Sequence, residues 1–388
     1  MGLIGIAGGG IGGLTLAVAL QQRGVEVIVL ERQSEIRDTG AGISLWPNAL
    51  AALDAVGLGD AVRSLGRSLD EGGERKLNGH VALSFSQQRF RAALGEGLVC
   101  VDRGDLVRAL AARLSPDAVR TDCAVAGYGR NPSGVTIRLQ NGRDVAVDAV
   151  VGADGIGSAI ATQLAGPLQS TYSGYAAWRA IAETDFGRKD DQIWTCMAEG
   201  HEFGWLPISD DRTYWFATAC LPESHSFPEG DEAHLKDTFG HWPHPIPHLL
   251  ASTPPHQLVR NDIVDRAMPK RWSDGPVTLL GDAVHPMRPH LGQGGCQAIE
   301  DAVVLGSYLA KSADIADAFA QYEQRRRRRT RLIVRLSRLS SLTRPPGPTT
   351  TVFDRATAAL PNLPVGPAIR AIAPIAGYRA GQRVVSGI

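Results

Sequence analysis

Residues 3–31 read LIGIAGGGIGGLTLAVALQQRGVEVIVLE. An apolar run of strand length ends in a glycine cluster, an apolar helical stretch follows, and a second apolar run closes on an acid, the pattern of a βαβ unit. Gly8, Gly10 and Gly13 satisfy GxGxxG directly between strand and helix. Glycine at these positions permits the tight turn and a close approach of backbone to pyrophosphate, and the helix N-terminus offers free N–H groups to the anion. Glu31 stands eighteen residues past Gly13, where a carboxylate accepts hydrogen bonds from both ribose hydroxyls. Arg32 beside it hints at a 2′-phosphate, which an acid in the ribose position disfavours. The stretch places a dinucleotide-binding α/β domain at the head of the chain without separating NAD from FAD.

Outward from this unit, helices are expected over 46–56 and 103–114, and strands over 135–139 and 145–153. Between 172 and 221 aromatic and β-branched segments alternate with polar breaks, which predicts an antiparallel sheet. Five of the seven Trp fall between 178 and 242. The strand signal returns at 277–283, a glycine-opened helix follows, and a long charged helix is expected over 314–343, stopped by PPGP at 345–348. No internal repeat is visible. The fold class is α/β: a Rossmann-like dinucleotide domain interrupted by a β-sheet domain, with a C-terminal helical segment. The expected division is 1–72, 98–165 and 265–344 for the nucleotide domain, 73–97 and 166–264 for the substrate domain, and 345–388 for the helical tail.

Composition narrows the partners. Forty basic and forty acidic residues cancel among 388, so no global field draws the chain to nucleic acid or anionic lipid. No stretch of ~18 apolar residues predicts a membrane span. Five scattered cysteines without a CxxC pair argue against a disulfide framework and a structural zinc site, and fit a reducing cytoplasm. His241, His244 and His248 mimic ligand spacing, but the prolines at 243, 245 and 247 spoil a shared helical face. No metal is expected. The expected partner is a small molecule, with the chain a monomer or homodimer.

Two further glycine-rich turns follow strands: VVGADGIGS at 150–158, centred on Asp154, and LLGDAVHPMRPHLGQGG at 279–295, with Asp282 after its strand. A cofactor long enough to touch turns spread over nearly the whole chain is FAD rather than a transient nicotinamide. With GGGIGGL, GAGISLWPNAL and VDRGDL, these motifs resemble the successive signatures of single-component FAD-dependent aromatic hydroxylases, the salicylate and para-hydroxybenzoate hydroxylase class, over roughly residues 3–340.

That resemblance implies an NAD(P)H-dependent monooxygenase that hydroxylates a small aromatic or polycyclic substrate through a C4a-hydroperoxyflavin, with FAD bound, NADH or NADPH as transient donor and O2 as cosubstrate. Gly8, Gly10 and Gly13 would meet the pyrophosphate, Glu31 and Arg32 the adenosine ribose region, and Arg103 the phosphate or ribityl region. Gly42, in the second signature, would also bind the cofactor. Asp154 would serve FAD and the donor, although Ser158 is followed by Ala-Ile-Ala where family members commonly carry an Arg. Asp282 would bind the ribityl chain. Pro286 and the segment Gly292, Gln293, Gly294 and Gly295 would lie against the flavin, where N–H groups at a helix N-terminus stabilise the negative charge of the reduced ring. An epoxidase or natural-product tailoring oxygenase of the same fold, and a reductase or dehydrogenase without oxygen insertion, are the alternatives.

For the substrate the chain offers Tyr175, Trp178 and Arg179, then Trp205, Tyr214, Trp215 and Phe216. Aromatic walls with one guanidinium suit a planar phenol or carboxylate; the same aromatics also suit the core of a sheet. Arg179, if buried, needs a partner such as Glu183. Arg179, Tyr214, His285 and Pro286 are the catalytic candidates, with His290 a second group placed for proton transfer. Cys296, in a helix's first turn, is placed for thiol activation. The run Arg325–Arg329 continues at helical spacing into Arg331, Arg335 and Arg338 and reads as a solvated face.

Overall fold

The computed structural model describes residues 2–36, 41–132, 134–184, 192–198, 200–340 and 374–380. The opening βαβ unit forms as its pattern dictates. Strands Ile4–Ala7 and Val27–Leu30 pair in parallel, and the helix Ile11–Gln21 between them is buried along nearly its whole length. Such a helix has no polar face because it is covered on all sides. Its other cover is the helix Gly294–Lys311, and Gly306 makes that crossing close: a Cβ there would stand 3.2 Å from the Cβ of Ala19. The parent sheet runs in the order 273–274, 277–279, 149–152, 4–7, 27–30, 119–120, parallel except at its first pair.

The stretch 145–153, expected as one strand, is two. Asp144–Val147 joins an antiparallel three-stranded sheet, and Ala149–Gly152 enters the parallel sheet beside Ile4–Ala7. Asp148 divides them: its backbone N–H donates to the Leu3 carbonyl at 2.9 Å and its carboxylate accepts the Leu3 N–H at 2.6 Å, so the chain changes partners there.

The aromatic middle of the chain forms a seven-stranded sheet in the order 259–266, 170–183, 212–220, 201–207, 193–198, 72–75, 81–85. Every pairing is antiparallel except Ile193–Ala198 with Gly72–Arg75. One face packs on the helices Gly230–Phe239 and Ile246–Ala251 in a separate core that holds Phe203, Trp215 and Phe239. The other face looks toward the nucleotide domain.

The helices expected around 46–56 and 103–114 span Pro47–Asp54 and Arg103–Ala111, and the long charged helix spans Ile315–Ser340. The PPGP break and most of the tail lie outside the described residues. Within 374–380, Ile375, Ala376 and Ala380 are buried, and Arg379 donates to the carbonyls of Pro47 and Leu94, both at 3.2 Å. Among the described residues no helix is long and apolar enough to cross a membrane.

Candidate active site

The first turn is shaped by two close approaches. Gly8 sits at φ +106°, in the left-handed region where a side chain is strained, and a Cβ there would lie 2.4 Å from the Ala153 carbonyl oxygen. A Cβ on Gly13 would lie 2.1 Å from the Gly8 carbonyl oxygen. Gly10, at the N-cap of Ile11–Gln21, is different: nothing stands within 4 Å of where its Cβ would be, so the helix N-terminus opens onto free space. Glu31 accepts the N–H of Gly9 at 2.7 Å and of Gln33 at 2.9 Å, which holds its carboxylate beside the turn. Arg32 is exposed.

The second turn abuts the first through Ala153 and Asp154. Asp154 accepts the Ala159 N–H on Oδ2 at 2.8 Å, while Oδ1 is buried with no partner among the described residues. Burial pushes this carboxyl up against the pull of Ser158 and backbone N–H groups. A buried acceptor of this kind fits a hydroxyl-bearing ligand. The third turn is tied to the second by Arg266, which is buried and donates to the carbonyls of Ile156 at 2.7 Å, Ala283 at 2.5 Å and Asp282 at 3.3 Å. Asp282 faces the cleft; the surrounding protein raises its carboxyl, opposed by His285, Arg103 and Arg266. Gly292, left-handed at φ +58°, closes the loop into the helix Gly294–Lys311. The three turns therefore converge, and the open glycine turn, the unpartnered Asp154 oxygen and the facing Asp282 fit an extended flavin dinucleotide.

A cavity of about 580 Å³ connects this convergence to the seven-stranded sheet. Arg103, Asp282, Gly292, Gly294 and Gly295 line one side of it, and Arg179, Tyr214 and Phe216 the other. Gly42 lies between: a Cβ there would meet the Tyr214 ring at 2.3 Å, so the phenol rests directly on its backbone. Burial pushes the Tyr214 hydroxyl up to about 12, against the charges of Arg179 and Arg103. Arg179 donates to Asn261 Oδ1 at 3.4 Å rather than pairing with Glu183, whose strand neighbour is Arg212.

Several expected residues stand elsewhere. Trp178, Trp205 and Trp215 are buried in the second core, on the opposite face of the sheet. Side chains alternate along a strand, so each lies next to a cavity residue and points away from it. Tyr175 is off the cavity wall, with its hydroxyl 3.2 Å from Nδ1 of His290, which does line it. His285 is fully buried, with Nε2 2.5 Å from Asp301 Oδ2, and neither it nor Pro286 lines the cavity. Gln293 is buried among amides: its Oε1 accepts from Asn48 and from Gln297, both at 3.1 Å. Cys296 is not activated, since burial pushes its thiol up to about 12.

The arginine run is not simply a solvated face. Arg326 is fully buried, bonded to Glu300 and, at 2.6 Å, to Asp301, and Arg329 reaches Glu300 at 2.7 Å. Glu202, Phe85, Phe90 and Met287 line the cavity and Arg266 clasps two of the turns, none of them singled out by sequence. Strand parity was the available signal for Glu202, which shares a face with Leu206 and with Tyr214 across the register. Arg266 carried no local signal, because its partners are backbone carbonyls. Among the described residues no three His, Cys, Asp or Glu are grouped to hold a metal ion.

A family model described as FAD binding domain matches residues 3–337. The aurachin C monooxygenase/isomerase of Stigmatella aurantiaca is 38% identical over 318 residues, 82% of this chain and 83% of that protein. The FAD-dependent urate hydroxylase of Klebsiella pneumoniae is 34% identical over 343 residues, 87% and 89% of the two chains. The crystal structure of Klebsiella pneumoniae HpxO complexed with FAD and uric acid superposes with a TM-score of 0.90 at 31% identity, covering 96% of each chain.

Proposed function

Because the chain belongs to the FAD-binding, class A flavin monooxygenase family, we propose that it hydroxylates a small planar aromatic or heteroaromatic compound lodged against Tyr214, Phe216 and Arg179. FAD is its cofactor, and the family uses NAD(P)H and O2. The observation that carries this reading is the single cavity in which the Asp282 and Gly294–Gly295 turns face an aromatic sheet.

In this reading Gly8, Gly10 and Gly13 hold the pyrophosphate, Glu31 the ribose, Asp154 and Asp282 the hydroxyl-bearing stretch, and Gly294 with Gly295 the ring. FAD, when bound, supplies two-electron exchange with NAD(P)H and activation of O2 for transfer of one oxygen atom. The side chains position and enclose. Phe216 and Tyr214 offer flat apolar surface, Arg179 offers a fixed cation to an electron-rich or anionic substituent, and the apolar walls limit water at the reacting carbon. Tyr214 stays a neutral donor throughout the physiological range.

The test is donor oxidation by the yellow holoprotein under 18O2 across phenols, aromatic acids and N-heteroaromatics, with NADH and NADPH compared. One labelled oxygen on a ring carbon is the expected product. Label in an epoxide points to the epoxidase alternative, and undiminished donor oxidation under argon with a reduced organic product overturns oxygenation.

A further inference from the structure

We propose that the substrate is an aromatic ring carrying a slender apolar arm, and that the arm runs from Tyr214 across the sheet to Phe85 beneath the helix Gln87–Leu94; this rests on the hydroxylase reading above. The sheet register sorts the cavity floor into rows that cross the strands. Tyr214 pairs with Leu206, and the pairing of Trp194 with Trp205 sets Ile193 beside Leu206. Ile193 pairs with Gly72, and Gly72 with Phe85. Tyr214, Leu206, Ile193 and Phe85 all line the cavity, and Gly72 adds no side chain, because a Cβ there would stand 1.8 Å from the Ile193 carbonyl oxygen. Past Tyr214 this row is apolar. Four interstrand steps of about 4.8 Å carry it about 19 Å across the sheet. The next row, two residues along each strand, holds Phe216, Gly204, Thr195 and Glu74. It is apolar beside Tyr214 and Leu206 and turns polar at Thr195 and Glu74. Two residues of strand are about 7 Å, so the floor is wide enough for a ring at its inner end and only for a hydrocarbon chain at its outer end.

The roof matches the floor. Phe90 and Leu94 stand four residues apart on the helix Gln87–Leu94 and so share a face. Both are buried and line the cavity, while Arg89, Arg91 and Ala92 of the same helix are exposed. Phe85 stacks on Phe90 with ring centroids 5.3 Å apart, and Trp46, also on the cavity wall, lies 6.1 Å from Phe90. The inner end is fixed against the flavin turns: the Tyr214 ring rests on Gly42, and a Cβ on Gly295 would stand 2.6 Å from Cδ1 of Ile43, the next residue. The wide end beside Arg179 therefore takes the reacting ring, and the roofed strip takes its arm. Water over that row meets apolar surface, so an arm that displaces it binds more tightly with each methylene it adds.

The experiment titrates flavin-loaded, full-length protein with 4-methyl-, 4-propyl-, 4-pentyl- and 4-heptylphenol, following the perturbation of the flavin spectrum. Affinity is expected to rise by about threefold for each methylene added. Ile193→Trp, which fills the strip midway, is expected to cut the gain from methyl to heptyl to less than about tenfold, the size of a contribution from one or two methylenes. Phe85→Ser, at the half-buried outer end, is expected to lower the heptyl-to-methyl ratio while keeping the propyl-to-methyl ratio. Flavin content and Tm are measured alongside; should Ile193→Trp not fold, Phe85→Ser decides alone. Equal affinity from methyl to heptyl, a gain undiminished in the folded variants, or heptylphenol binding that does not compete with methylphenol overturns the inference. A chain-length gain without labelled-oxygen insertion sinks only the hydroxylase reading; insertion into methylphenol with no dependence on chain length sinks only this one.

Discussion

Tyr214 is the residue on which the two halves of the cavity meet. Its ring rests on Gly42, and burial keeps its hydroxyl protonated to about pH 12. Tyr214→Phe keeps the ring and deletes the donor, so kcat/KM is expected to fall by about tenfold, the worth of one hydrogen bond, with FAD content unchanged. Because Tyr214 titrates far above neutrality, wild type and variant should show the same alkaline limb below pH 10; a limb lost with the hydroxyl would contradict this. Arg266 is the other decisive side chain. Burial lowers its basicity, against the fields of Asp282 and Asp154, yet its guanidinium still joins Ile156 to Asp282 and Ala283. Arg266→Met strands those carbonyls at a cost of about 1–3 kcal/mol each. Equilibrium dialysis is expected to show weakened FAD binding, accompanied by a lower Tm of the apoprotein.

At the scale of elements, the helices Gly294–Lys311 and Ile315–Ser340 are bound by buried charge. Burial alone would raise Glu300 and Asp301; Arg326 and Arg329 for the first, and His285 and Arg326 for the second, outweigh it and hold both carboxyls below their ordinary range. A carboxyl depressed in the folded state stabilises above its unfolded value, near pH 4, and that contribution is lost as pH falls through the folded value. Asp154 and Asp282 are raised and act with the opposite sign, favouring the fold as they protonate. Asp301→Asn, which leaves part of Arg326 and His285 uncompensated, is expected to cost about 3–5 kcal/mol at pH 7. The difference from wild type in thermal unfolding should shrink below pH 4; a difference that grows on acidification would refute the assignment.

At the scale of the whole molecule, the cavity lies where the seven-stranded sheet meets the segment around Gly42 and the turns at 282–295, with Gly42 under Tyr214 and the Trp46 ring 6.1 Å from that of Phe90. Gly42→Val is expected to push Tyr214 out of that seam and raise KM severalfold while leaving flavin binding largely intact, a split that steady-state kinetics and flavin content together resolve. The three glycine turns were legible in sequence as turns because their determinants are local: Gly8 and Gly13 answer to a turn and a helix start a few residues long, and Asp282 follows its own strand. The strands of the seven-stranded sheet between 170 and 220 were equally legible, but their faces were not, and the strands 72–75, 81–85 and 259–266 that complete it were not read as strands. That sheet is covered on both sides, so Trp215 and Phe216 are neighbours of similar character, one in the core and one in the cavity. The chain alone determined the FAD-binding α/β framework, because periodicity and glycine spacing act within single elements. Which aromatics line the cavity, that Glu202 belongs to its wall, and that Arg326 is buried rather than solvated were decided by tertiary structure, because packing partners distant in sequence choose the face that each strand and helix buries.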